Sequence, residues 1–157
     1  MSVATITTYQ WFLSVHILAA VLWVGGGFTI QVLAWRVTRA NDGPRLAGLT
    51  SDIEWMGTRV FVPASFVLVV FGFLLMNEGE WDYQFWVVFA IAVWIASFLV
   101  GSGFLGPESG RLSKAVAEQG IDSPEAQSRL ARIFLISRIE LVFLLLVVLD
   151  MVLKPGS

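Results

Sequence analysis

The chain of 157 residues contains no cysteine. Disulfides, thiolate metal sites, iron–sulfur ligation and a cysteine nucleophile are therefore excluded. Charge is scarce: 14% of the residues are Asp, Glu, Lys or Arg, against about 25% in a soluble domain. The net charge is −2, and no nucleic-acid partner is expected. There are two lysines, Lys114 and Lys154, and one histidine, His16. Zinc and copper sites usually draw on several ligands, which one histidine does not supply. What the chain has in abundance is apolar surface, 57% of its residues, with seven Trp and twelve Phe. Aromatic rings at this density suit a bilayer, where they sit at the interfaces and fill helix contacts.

Four segments reach the roughly 20 residues that a spanning helix needs. They cover about 9–35, 55–76, 85–105 and 133–153. Backbone amides in lipid must be satisfied within the segment, so these are helices. The expected fold is all-α, one integral membrane domain over 1–157, a polytopic four-helix bundle. The lipid bilayer is its first partner. Asn41 to Pro44 reads as a turn cluster. Ser51 to Glu54 matches a capping box, which places the start of the second helix at Ser51. Gly106-Pro107 is expected to end the third helix. A short polar helix is expected over 108–119, with a break at Gly120. Ser123-Pro124-Glu125 has the pattern of a new helix start.

Orientation follows from the basic residues. Arg36, Arg39, Arg45, Arg59, Arg111, Lys114, Arg129, Arg132 and Arg138 fall on the side of the two longer loops, and Lys154 alone falls opposite. Nine against one is a strong positive-inside bias. It predicts a multi-pass protein of N-out/C-out topology.

His16 lies inside the first span, roughly 10 Å below its outer end at about 1.5 Å per residue. An ionisable side chain at membrane depth is expensive and marks a functional site by default. Its helical face carries Phe12, Ala20, Trp23 and Gly27. Ala20 leaves room for a large group. The functional readings are haem axial ligand, copper ligand or proton relay. The structural alternative is a histidine bonded to a hydroxyl or carbonyl of a neighbouring helix. As a haem ligand, one histidine per chain gives either a bis-His site across a homo-oligomer or a mono-His site. Met151, near the outer end of the fourth span, is a candidate for the second face.

Gly25 to Gly27 lower helix stability by roughly 1 kcal/mol each and suggest close helix packing, a flat wall against a macrocycle, or a hinge. Arg138 and Glu140 sit inside the inner end of span four. Arg138 reaches the interface by its length. Glu140 needs a partner, and Arg59 at similar depth on span two is the expected one, as a structural ion pair. Glu140 stands too far from His16 for direct contact. Pro63, inside span two, frees the carbonyl of Arg59 and predicts a kink. Asp150 and Lys154 read as an interfacial i,i+4 pair. Ala92, Ala96, Ser97 and Gly101 read as a small-residue packing face.

The segment Trp11 to Gly27 resembles the opening span of an uncharacterised bacterial family of four-span integral membrane proteins, a domain of unknown function. More distantly it is similar to CopD-type copper-resistance and HemJ-type membrane domains, in which an early span carries a His followed by small residues, Trp and Gly. The matching positions are His16, Trp23 and Gly25 to Gly27. The intramembrane lysine of the HemJ-type enzymes has no counterpart in a later span of this chain. The reading is a small membrane protein, non-enzymatic or accessory, able to hold a hydrophobic cofactor. Haem b on His16 is the candidate, with Ala20, Trp23 and Gly27 beside it. A haem-linked oxidoreductase and a copper or ion transport protein stand as alternatives.

Overall fold

A computed structural model describes residues 6–40 and 42–155, so Asn41 of the expected turn cluster lies outside the described residues. The chain folds into four long helices: α1 Thr8–Arg39, α2 Gly43–Glu78, α3 Phe85–Gln119 and α4 Pro124–Leu153. The first three are long and apolar enough to cross a membrane. In α4, every 18-residue stretch includes at least three charged side chains, because Arg132, Arg138, Glu140 and Asp150 are spread along it. Large apolar side chains such as Leu18, Phe28, Val70 and Leu99 point outward from the bundle. An apolar outer surface of this extent belongs against lipid or another protein.

Helix starts follow local chemistry. Thr7 and Gln10 form a capping box at α1, with Gln10 N–H donating to Thr7 Oγ1 at 3.2 Å and Thr7 N–H to Gln10 Oε1 at 3.0 Å. The second helix starts at Gly43, not at Ser51. Asp42 caps it by accepting from Arg45 N–H at 3.1 Å, with Pro44 in the first turn. Two caps competed, and the upstream one adds two further helical turns. Gly120, at φ +84°, stops α3, and Ser123 caps α4 by accepting from Ala126 N–H at 3.3 Å.

Gly106-Pro107 does not end the third helix. Wide π-helical turns at Gly57–Phe61 and Gly101–Leu105 precede Pro63 and Pro107. In each, a five-residue hydrogen bond, from Val62 N–H to Gly57 O and from Gly106 N–H to Gly101 O, closes the turn. A proline lacks a donor and its ring crowds the carbonyl four residues back. The widened turn absorbs that mismatch and lets the helix continue. A third π turn, Val21–Gly25, lies in α1 and packs against the one in α2.

At the end that holds Trp81, outer by the expected orientation, α1 packs on α2 and α3 on α4. At the other end the helices run on beyond the expected spans and build a second core. Ala34, Leu46, Leu112, Ala126, Leu130 and Phe134 are buried there. Glu108, 3% exposed, ties this end together: its carboxylate accepts from Arg129 Nη1 at 2.8 Å and from Arg111 Nη1 at 3.2 Å. Arg129 also binds Glu125 at 2.9 Å. Hydrogen bonds from Arg129 and Gln119 hold the Glu125 carboxyl below the usual carboxylate range.

The expected small-residue face of α3 is corrected. Ala92 and Ala96 are exposed, and the inward face is Trp86, Val87, Val93 and Ser97.

Candidate functional site

Among the described residues two cavities lie between the helices, stacked along the bundle and sharing Trp23 and Leu144 in their walls. The outer one measures about 570 Å³ and is lined by His16, Ala20, Gly72, Trp86, Trp94 and Met151, among mostly aliphatic neighbours. The inner one measures about 430 Å³ and carries Gln31, Ser65, Ser97, Ser137 and Glu140.

His16 is half-buried in α1, and Phe12, one turn earlier on the same face, meets Phe71 edge-on at 5.8 Å. The imidazole reaches across to α2, where Nδ1 lies 2.8 Å from the carbonyl oxygen of Leu68. A carbonyl only accepts, so Nδ1 carries the proton and donates. The imidazole then keeps a lone pair on Nε2. The structural alternative, a histidine bonded to a neighbouring helix's carbonyl, therefore describes one ring nitrogen. The other remains available. Such an anchored tautomer is the usual arrangement of a ligating histidine, whose second nitrogen is oriented by a carbonyl or carboxylate.

Gly72, one turn beyond Leu68, makes the approach possible. A Cβ there would stand 3.3 Å from His16 Cε1 and 3.5 Å from Nδ1. Sequence reading passed over Gly72, although a lone glycine in an apolar helix is a recognisable sign of close approach. It also passed over Trp94, whose buried Nε1–H has no hydrogen-bond partner.

Of the residues expected around His16, Ala20 and Trp23 line its cavity, as does Met151. Gly27 does not; it lies on the inner cavity. At about 1.5 Å per residue it stands roughly 16 Å along the helix from His16, past the outer chamber. Within the glycine triplet, close approach is required at Gly26, where a Cβ would stand 2.6 Å from Phe61 Cε1.

The structure does not bring Arg59 to Glu140. Arg59 is exposed on α2, and the ion pairs among the described residues do not include it. Ser97 of α3 is the polar neighbour of the Glu140 carboxyl instead. Equal depth does not imply facing sides, and Arg59 lies within the π turn Gly57–Phe61, where the helical register shifts. At the outer end, Lys154 Nζ sits over Trp81 at 4.2 Å and Trp86 at 5.2 Å. Among the described residues, no group of three His, Cys, Asp or Glu is placed to hold a metal ion.

One family profile, described as a predicted integral membrane protein of the DUF2269 family, matches residues 11–155. The chain belongs to that family. The match takes in all four helices and both cavities. No curated protein and no solved structure matches the chain. An integral membrane protein with three apolar helices of spanning length is thus established, and the chemistry must be read from its cavities.

Proposed function

We infer that this DUF2269 protein is a four-span, N-out/C-out protein of a bacterial inner membrane that holds a flat hydrophobic cofactor, haem b first, in the outer cavity through His16. The fourth span is α4, which packs along α3 within the bundle. Its charged residues avoid lipid there: Glu140 lines the inner cavity, and Arg138 lies near the basic end. The nine-to-one distribution of basic residues supports the orientation. Exposed Trp35 and Trp55 at that end, and Tyr9 against Trp81 at the other, form two aromatic belts.

The observation that carries the cofactor reading is His16 itself. Its Nδ1 is pinned at 2.8 Å by Leu68, in the wall of a largely apolar chamber of about 570 Å³. Ligand cavities of this kind run from about 300 to 1,000 Å³. Met151, in the same wall, would be a second residue able to hold such a group. A homo-oligomer that pairs two His16 residues is the other way to complete the coordination. Ala20 and Trp23 shape the chamber. Gly27 belongs to the inner chamber and has no part in this site.

The visible spectrum of the detergent-purified protein tests the reading. A Soret band that scales with protein, survives purification or develops on haem addition, and is lost in His16→Ala without loss of fold, is expected. A folded wild type that develops no such band after haem supplementation refutes it. A second reading rests on Trp94, whose unpartnered Nε1–H would suit a hydroxyl oxygen. A quinol with one hydroxyl on His16 Nε2 would meet both groups, and solvent extraction of the purified protein would reveal a quinone.

A further inference from the structure

The inner cavity carries a different chemistry from the outer one. Its volume is about 430 Å³, many times the roughly 30 Å³ share of a water molecule. Glu140 is its only deep ionisable group, and no Lys or Arg lines the wall. Gln31 contributes a buried Oε1 with no hydrogen-bond partner. A buried acceptor left unpaired costs free energy, so a donor is missing from this chamber.

Three of the six hydroxyls in its wall have their protons committed to the backbone. Thr58 donates to Glu54 O at 3.1 Å, Ser65 to Val62 O at 2.9 Å and Ser102 to Phe98 O at 2.6 Å. With their protons committed, these oxygens offer only lone pairs. Ser97 meets the Glu140 carboxyl, and neither it nor Ser109 or Ser137 reaches Gln31 Oε1. The polar wall is thus a carboxyl group, an orphan amide oxygen and these hydroxyls. The remainder is apolar and aromatic, with Trp23, Phe61 and Phe98. Aromatic faces attract ammonium groups. Glu54, exposed at the basic end of the bundle, also lines the cavity and places a second carboxylate at its rim.

We propose that the inner cavity is a binding site for a small amphiphilic organic cation, a protonated alkyl or aryl amine. Its ammonium group lies between Glu140 and Gln31 Oε1, and its apolar body lies along the aromatic wall. An anion is disfavoured because the wall has no cationic side chain. A bare inorganic cation is disfavoured because hard ions gather roughly six or more oxygens in a tight shell, whereas this wall is mostly carbon. The site is independent of the cofactor reading of the outer cavity.

Isothermal titration of n-butylammonium chloride into the full-length protein in detergent tests the proposal, with n-butanol and sodium chloride as matched controls. Wild-type protein should bind n-butylammonium in preference to n-butanol. Glu140→Gln should weaken it about tenfold or more, as expected for a lost charge-assisted contact. Gln31→Leu should weaken it a few-fold and serves if Glu140→Gln does not fold. Absence of binding, equal binding by n-butanol, unchanged binding in both variants, or displacement by sodium at equal concentration would each overturn the assignment. Haem addition to Glu140→Gln should still give whatever Soret band the wild type gives, which separates failure here from failure at His16.

Discussion

Gly72 is the position at which a single methyl group tests the geometry of His16. In Gly72→Ala the new Cβ would stand 3.3 Å from His16 Cε1, so the ring must retreat by a few tenths of an ångström. The bond from Nδ1 to Leu68 O, now 2.8 Å, stretches with it. Its loss would cost about 0.5–1.5 kcal/mol. Replacing glycine by alanine inside a helix returns about 0.5–1 kcal/mol. The two nearly cancel, so Gly72→Ala should change stability by less than about 1 kcal/mol while weakening any ligand held on Nε2. Gly72→Val adds atoms where the ring now lies and should lose about 1–3 kcal/mol through overpacking, with the ligand site closed. Thermal unfolding in detergent reads the first quantity, and haem titration followed by absorbance reads the second. If Gly72→Val matched the wild type in both, the contact between His16 and α2 described above would be wrong.

Topology is open to direct labelling, since the chain has no native cysteine. An impermeant thiol reagent applied to intact cells should modify Asp82→Cys and spare Asp122→Cys, and the reverse would overturn the orientation. Leu112, 1% exposed in the inner core, should cost about 2–5 kcal/mol when replaced by alanine, measured by chemical unfolding. Glu125 predicts an acid effect. Its pKa is depressed in the folded chain by Arg129 and Gln119, so its contribution is present above the unfolded value and disappears as pH falls through the folded one. Acid-induced loosening of the α3–α4 junction, followed by amide exchange at 119–129, should therefore be reduced in Glu125→Gln.

The sequence by itself determined what depends on local chemistry and on length. Apolar runs set the membrane class. Ser123, Pro124 and Gly120 set the break before α4, because caps and left-handed backbone act within a few residues. The basic residues set an expected orientation, because that rule reads loops and not contacts. His16 stood out through its cost at membrane depth. Tertiary structure decided the rest. His16 meets Leu68 across 52 residues of chain, a pairing no spacing encodes. Arg59 turned away from Glu140, because helix rotation and the π turns decide which side chains face one another, and Gly27, eleven residues beyond His16, fell into the other chamber by its depth along the helix. Pro107 interrupted nothing, since the widened turn before it removed the clash that makes proline a helix breaker. The two cavities exist only where four helices fail to meet, and that is a property of packing and not of any one segment.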